Sequence, residues 1–264
     1  MCYDAESGTK MALKYAKHRG DDATVAKLSR QLDLFKIDNQ AFYHVSGFSH
    51  PKFMVFTNHA PFTPLAYTWG LIPPWSKNLV EAKKFWNNTL NARGETIFEK
   101  PSFKTGALHN RCLVYLDAFY EHRHINKKTY PYRIAMKDGS PMAVAGIWGE
   151  WRDKFTGETY HTFSIVTTEA NALMRKIHNN PDAEGPRMPL ILPKEKQDEW
   201  LIDCKNENDL THLKSLMQPF DENLLEAHTV GKLRGKEQIG NRIEVENEVK
   251  YPELISHDNS PQLF

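Results

Sequence analysis

The sequence has few cysteines, and they follow no disulfide or metal-binding pattern. Cys2, Cys112 and Cys204 are the three cysteines, an odd number at wide spacings, whereas disulfide frameworks and zinc sites require paired or closely spaced ones. The 12 histidines are scattered as well, without the close pairs typical of a zinc site. No metal, no cofactor and a reducing, cytosolic compartment are therefore expected.

Membrane and export signals are also missing from the sequence. No apolar run approaches the roughly 20 residues that a membrane-spanning helix requires. The N-terminus has no basic segment followed by an apolar one, which a secretory signal would need. A soluble, cytoplasmic protein with no membrane partner is therefore expected.

Net charge is nearly absent, since 34 Lys and Arg residues against 33 Asp and Glu residues leave a formal charge of +1. A nucleic-acid partner must then be sought in local clusters of charge. One cluster between positions 83 and 111 has two acidic residues and six basic ones, namely Lys83, Lys84, Arg93, Lys100, Lys104 and Arg111. This cluster indicates either a DNA-binding loop or an ordinary solvated surface.

The N-terminus offers a reactive group, because Cys2 follows the initiator Met1 and removal of Met1 would free its amine. The amine and the thiol have ordinary pKa values of about 8 and about 8.5, so both are partly nucleophilic near neutral pH. Such a pair suits aldehydes, because the amine forms an imine and the thiol closes onto the same carbon as a thiazolidine. A cysteine at position two also occurs without any catalytic role, so the dipeptide alone leaves both interpretations open.

Apolar periodicity predicts a sheet with flanking helices in an α+β fold. Strands are predicted over 42–45, 53–56, 111–117, 132–136, 143–151, 160–167 and 189–193. Helices are predicted over 11–36, 169–177, 194–202 and 209–217. The prolines of segment 61–64 are expected to interrupt regular structure. The length fits one large domain, expected over 1–240, followed by a polar, acidic and loosely held tail over 241–264.

Polar residues in irregular segments between strands are candidates for a site. They are Asn91, Arg93, Glu121, His178 and Arg187. Each has a structural alternative: a turn cap for Asn91, an ordinary ion pair for Arg93 and Glu121, and a favourable charge at the C-terminal end of a helix for His178. Two tryptophans flank a double proline in Trp69 to Trp75, a pattern that fits either base stacking or core packing.

Seven motifs occur together and in a fixed order, and they resemble the SOS-response-associated peptidase (SRAP) family. The resemblance spans Cys2 to about Leu192. The motifs are Cys2 behind Met1, Trp69-Gly-Leu-Ile-Pro-Pro-Trp75, Asn91-Ala-Arg-Gly-Glu-Thr96, Lys100-Pro-Ser-Phe103, Arg111-Cys-Leu-Val-Tyr-Leu-Asp-Ala-Phe-Tyr-Glu121, Ile177-His178 and Arg187-Met-Pro189. Members of this family shield abasic sites in single-stranded DNA by crosslinking to them through an N-terminal cysteine.

The resemblance implies a single domain built on an antiparallel, β-barrel-like sheet, a monomer, and single-stranded DNA with abasic sites as partner. It implies that Cys2 is the nucleophile, that Asn91 holds its amine and the sugar remnant, and that Glu121 shuttles protons. His178 is implied as a second acid or base that changes charge near neutral pH. The implied DNA contacts are phosphate ligands and an apolar wall for bases, namely Arg93, Arg187, Lys104, Trp69, Pro73, Pro74 and Trp75.

The sequence departs from the family pattern in three places. The common opening Cys-Gly-Arg is here Cys2-Tyr3-Asp4, the residue after the acid is His122, and extra residues occupy 179–186.

Two other functions would use the same candidate site residues. One is an N-terminal-cysteine peptidase or hydrolase, in which the amine activates the thiol; the other is a non-covalent reader of modified or single-stranded DNA. If the protein crosslinks to abasic sites, strand cleavage by β-elimination from the imine is a further expected activity.

Overall fold

The computed structural model describes residues 2–7 and 42–254, so the helix predicted over 11–36 lies outside the described residues. The strands are β1 (Asp4–Ser7), β2 (Phe42–Ser46), β3 (Lys52–Thr57), β4 (Ala60–Trp69), β5 (Asn91–Arg93), β6 (Arg111–Leu116), β7 (Ala118–Ile125), β8 (Lys128–Met136), β9 (Met142–Arg152), β10 (Thr159–Glu169), β11 (Arg187–Pro189) and β12 (Leu225–Thr229). The α-helices are α1 (Leu79–Trp86), α2 (Lys104–His109), α3 (Ala172–Ile177), α4 (Gln197–Trp200) and α5 (Glu207–Ser215). Short 3-10 turns lie at Gly47–Ser49, Asn87–Thr89, Gly94–Thr96, Lys194–Lys196, Glu222–Leu224 and Ile243–Glu246.

A closed barrel forms the centre of the molecule. Strands β10, β4, β3, β6 and β9 pair in that order, and β9 also pairs with β10, which closes the ring. Aromatic rings of Phe53, Trp69 and Phe163 pack together in its core, with centroids 5.8 to 6.3 Å apart. The predicted α+β domain on a barrel-like sheet is confirmed, with the difference that β4 and β10 run parallel.

A second, antiparallel sheet carries the N-terminal strand. Its order is β12-β8-β7-β1-β2, so β1 lies between β7 and β2 and is paired along both edges. Strand β1 is polar, yet Glu6 is buried because it accepts two hydrogen bonds from the Arg133 guanidinium at 2.7 and 3.0 Å. Chain termini are usually poorly ordered unless they are tied into a sheet. The pairing of β1 therefore fixes the position of the residues just before it.

The expected break at the prolines of 61–64 is wrong, because β4 runs through them from Ala60 to Trp69. The register between β3 and β4 shifts between Val55 and Thr57, and Pro61 and Pro64 fall in that irregular part of the ladder. Proline is tolerated in a strand where its missing N–H is not needed for pairing.

The segment after position 240 differs from the loosely held tail expected over 241–264. Asn241 Oδ1 accepts hydrogen bonds from two backbone N–H groups of β2, at 2.8 and 3.3 Å. Val245 and Leu254 are buried against the five-stranded sheet. Apolar residues spaced through this acidic segment thus pack residues 241–254 against the domain. In the part of the chain that the structure describes, no helix is long and apolar enough to cross a membrane.

Candidate functional site around Cys2

Cys2 lies just ahead of β1 and is almost completely buried, with 1% of its surface exposed. The Asn91 side-chain N–H donates to the Cys2 carbonyl oxygen at 2.8 Å, and the Gly47 N–H donates to the Tyr3 carbonyl oxygen at 2.7 Å. Burial, and then the negative charge of Glu121, raise the pKa of the Cys2 thiol. The thiol is therefore held in its neutral form near the carboxyl group.

Asn91 is positioned by β5, which pairs in parallel with β10 so that Asn91 lies opposite Ile165. Its amide N–H groups face the backbone of Cys2, while its Oδ1 is buried and accepts no hydrogen bond from residues 2–7 and 42–254. Buried polar atoms are paired in most structures. Asn91 Oδ1 is thus a buried acceptor whose donor does not come from the described residues.

Glu121 lies on β7 beside the start of β1, since Asp4 pairs with Tyr120 in the antiparallel register. The carboxyl group is buried, which raises its pKa. One oxygen accepts the His122 N–H at 2.9 Å, and the other lies 3.9 Å from His178 Nε2. A carboxyl group with a raised pKa is more often protonated near neutral pH, which suits a group that both donates and accepts protons.

His178 ends α3, and its ring is oriented by the strand that follows. The Arg187 N–H donates to His178 Nδ1 at 2.8 Å, so the proton of the neutral ring lies on Nε2, toward Glu121. Burial lowers the pKa of His178 to about 4. Burial and the Arg187 hydrogen bond both favour the neutral ring, so the structure favours a neutral His178 over the charge switch predicted near neutral pH.

The two arginines predicted as phosphate ligands are already paired with acids. Arg187 is buried, donates to both oxygens of Glu95 at 2.7 Å and donates to the Thr167 carbonyl oxygen at 2.8 Å. Arg93 contacts Glu184 at 2.6 Å, and these side chains are 31% and 81% exposed. Arg93 therefore pairs with Glu184 and not with Glu121. Exchange of a carboxylate for a phosphate is far easier at Arg93 than at Arg187.

The predicted apolar wall is divided between core and surface. Trp69 is fully buried and its indole N–H donates to a main-chain carbonyl at 2.8 Å, so it packs in the barrel and cannot stack on a base. Pro73 is buried, whereas Pro74 and Trp75 are exposed in the loop ahead of α1. Lys104 is exposed at the first residue of α2. Neither Trp75 nor Lys104 lines the cavities next to Cys2.

Two cavities meet at Tyr3, His178 and Asn180, which line both. The first, here called the loop-side cavity, has a volume of about 460 Å³ and is also lined by Asn91, Arg93, Lys100, Asp182, Glu184 and Arg187. The second, the strand-side cavity, has a volume of about 380 Å³ and is also lined by Asp4, Phe48, Glu121, His122, Lys232 and Arg234. Of the residues implied to react, His178 lines both cavities, Asn91 lines the loop-side cavity and Glu121 lines the strand-side cavity.

Four residues that line the strand-side cavity are not predicted as site residues by the sequence: Tyr3, Asp4, Phe48 and Arg234. Asp4 is buried and joined to the Arg234 guanidinium at 2.6 Å, although the two are 230 positions apart. No local pattern could have predicted this contact. The one local signal among them is the aromatic Phe48 within the Ser-Gly-Phe-Ser-His-Pro stretch, which the sequence predicts as a turn between two strands.

Comparisons with known proteins bear on the same part of the chain. A family model described as SOS response associated peptidase (SRAP) matches residues 15–236. The abasic site processing protein YoqW of Bacillus subtilis is 40% identical over 166 residues, which cover 62% of this chain and 68% of that protein. The abasic site processing protein YoaM of the same organism is 38% identical over 166 residues, covering 62% and 67%. A crystal structure of a protein from Bacteroides thetaiotaomicron matches with a TM-score of 0.78 and 32% identity, covering 94% of this chain and 100% of that one.

Proposed function

Because the chain belongs to the SOS response associated peptidase (SRAP) family, we propose that it processes abasic sites in DNA, as its relative YoqW is named for doing. The finer proposal is that Cys2, made N-terminal by removal of Met1, forms a covalent thiazolidine with an abasic site in single-stranded DNA. The adduct would shield the lesion from other chemistry.

The observation that carries this proposal is the buried Asn91 amide beside Cys2. Its N–H holds the Cys2 carbonyl at 2.8 Å, and its Oδ1 has no partner within the described residues. A free amine on Cys2 would lie on the same residue as that carbonyl and can donate to Oδ1. Asn91 would thereby orient the amine, and Oδ1 would gain the hydrogen bond that a buried acceptor requires.

The reaction proceeds in two balanced steps. In the first, the Cys2 amine attacks the aldehyde carbon of the opened sugar, and the carbinolamine loses one water to give an imine. In the second, sulfur bonds to the imine carbon and the thiol proton passes to nitrogen, which closes the saturated ring. The net change is the loss of one water from protein and DNA, with no oxidant or cofactor consumed.

Glu121 is the group best suited to move these protons, because burial raises its pKa and it lies near the thiol. It would protonate the departing hydroxyl and then accept the proton of the thiol, whose own raised pKa makes a base necessary. His178 would act as a neutral Nε2–H donor, to Glu121 or to a sugar hydroxyl, because its Nδ1 is occupied by the Arg187 N–H.

The imine can also lead to strand cleavage. An imine makes the proton on the adjacent sugar carbon more acidic, so β-elimination of the 3′ phosphate competes with ring closure. Ring closure by the thiol removes the imine and thereby protects the strand. Replacement of the thiol should shift the balance from crosslinking toward lyase activity.

The test mixes abasic single-stranded DNA with the wild type, Cys2→Ser and the matched control Cys204→Ser, which alters a thiol outside both cavities. The wild type and Cys204→Ser should form an adduct that survives heating without reduction. Cys2→Ser keeps the amine, so its adduct should appear only after borohydride trapping. An adduct formed from a peptide and discharged by hydroxylamine, with none from abasic DNA, would instead identify an acyl-transferring peptidase.

A further inference from the structure

The strand-side cavity presents an exposed aromatic ring and an exposed cation that the proposed chemistry does not use. Phe48 is 45% exposed, and the Arg234 guanidinium carbon lies 5.9 Å from the centre of its ring. The ring of Tyr3, which is next to Cys2, lies 4.8 Å from the ring of Phe48. An aromatic surface therefore runs from the reactive cysteine to the mouth of this cavity.

The turn that carries Phe48 is fixed by the barrel behind it. Gly47 packs so closely on Trp69 that a Cβ would lie 3.2 Å from the indole. His50 has a φ of 50°, and its Nδ1 lies 2.8 Å from the Trp69 carbonyl oxygen. Exposure of Phe48 is thus set by rigid neighbours on both sides, as expected for a residue that presents its ring to a ligand.

Arg234 is oriented by the buried Asp4, which lies on the protein side of the guanidinium and leaves its solvent side accessible. Asp4 is buried, accepts a hydrogen bond from one Nη of Arg234 at 2.6 Å and lies 3.1 Å from His44 Nε2. A guanidinium has five N–H donors, and the Arg234 side chain remains 54% exposed. Among residues 2–7 and 42–254, the acids lining this cavity are Asp4 and Glu121, and both are buried. The accessible charge of these lining residues is therefore cationic.

We propose that the strand-side cavity binds one nucleotide of the single strand next to the lesion, with its base stacked on Phe48 and its phosphate bound by Arg234. This inference rests on the proposed function, since it requires DNA at Cys2. A flat aromatic surface stacks with any base, and a guanidinium binds phosphate oxygens through paired N–H groups. Lys232, which also lines the cavity, adds a second positive charge. The subsite should therefore bind a nucleotide without preference for its base.

The first test measures equilibrium affinity for single-stranded DNA that carries a tetrahydrofuran lesion, which has no aldehyde and cannot crosslink. Phe48→Leu should weaken binding by about 5-fold or more, because stacking on an aromatic ring is lost. Arg234→Gln should flatten the slope of log affinity against log salt by about 0.7. Phe155→Leu and Arg242→Gln, which alter an exposed ring and an exposed cation outside both cavities, are the matched controls.

The second test locates the nucleotide by shortening the DNA to end at the lesion on its 5′ or its 3′ side. The penalty of Phe48→Leu should persist on one shortened strand and vanish on the other. An equal penalty on both strands, or none on the full strand, would overturn the proposal. Phe48→Trp should bind at least as tightly as the wild type, and a loss as large as that of leucine would also overturn it.

The two proposals fail in different ways. Wild-type protein that binds the lesion analogue but forms no heat-stable adduct with true abasic DNA would contradict the crosslinking function. Wild-type protein that crosslinks normally, with no penalty from Phe48→Leu or Arg234→Gln, would remove only the nucleotide subsite.

Discussion

The loop-side and strand-side cavities hold their accessible arginines in opposite ways. In the loop-side cavity Arg93 is bound by Glu184, a carboxylate that is 81% exposed. In the strand-side cavity Arg234 is bound by Asp4, a carboxylate that is 3% exposed. The first acid therefore covers its arginine from the solvent side, and the second supports its arginine from the protein side.

This difference shows two effects of an ion pair on ligand binding. The acid can occupy the position of the ligand on the arginine, or it can hold the arginine in place for the ligand. Burial opposes ionisation of Asp4, but the His44 hydrogen bond and the charge of Arg234 lower its pKa below the usual range. Asp4 thus remains charged and fixes Arg234 without filling the cavity. Glu184 takes the position of a phosphate, but exposed pairs are worth only about 0 to 1 kcal/mol. DNA should displace Glu184 at a small cost in affinity.

The largest expected effect is at Glu121 in the strand-side cavity, where a substitution should slow crosslinking and leave DNA binding intact. Glu121→Gln keeps the shape of the side chain but cannot transfer a proton, so crosslinking of bound DNA should slow by about 10² to 10⁴. Single-turnover rates at saturating DNA measure this effect, with Glu226→Gln at an exposed position of β12 as the same substitution outside both cavities. Weaker binding with an unchanged rate would give Glu121 a structural role only.

A smaller effect is expected from the cation of the loop-side cavity. Arg93→Ala should weaken binding to single-stranded DNA and flatten the slope of log affinity against log salt by about 0.7, the value for one phosphate contact. Arg187→Gln is the matched comparison at a temperature where both variants are folded. Its slope should stay as in the wild type, because Arg187 is held by Glu95 and Thr167. Equal slope changes in the two variants would show that Arg187 also exchanges its partner for phosphate.

The smallest expected effect is an increase in DNA affinity, whereas the preceding substitutions should lower the rate or the affinity. Glu184→Gln removes the carboxylate that covers Arg93, so single-stranded DNA should bind about 2- to 5-fold more tightly, the range expected for an exposed ion pair. The gain should vanish in an Arg93→Ala background, since the two changes act through one contact. A gain that persists in that background would reflect general charge and not release of Arg93.

The strands that the sequence predicts well are those whose burial follows a local pattern. Strands β2, β3, β6, β9 and β10 match predicted segments, because each is a short run rich in apolar, aromatic or β-branched residues. Strand β1 was beyond such reasoning, since its sequence Asp-Ala-Glu-Ser is polar. It forms a strand because Asp4 and Glu6 find Arg234 and Arg133 far along the chain.

The site residues, like the strands, are predicted where a local pattern indicates them and missed where distant contacts decide. Candidate residues Asn91, Glu121 and His178 are indicated by motif order, but nothing local shows that Asn91 contacts Cys2 across 89 positions. Charge partners are equally invisible, because Arg187 and Glu95 meet through strand pairing and loop packing. Residue type thus predicts what a side chain can do, whereas the fold decides whether an arginine is free to bind phosphate.

Intact mass of the heat-stable adduct tests the central claim most directly, because it reports which atoms are joined. The account predicts the mass of the chain without Met1, plus the abasic DNA, minus one water. Proteolysis should then place the added mass on Cys2. An adduct that retains Met1, carries a blocked Cys2 amine or is attached at another residue would contradict the mechanism, since none of these leaves an amine beside the thiol.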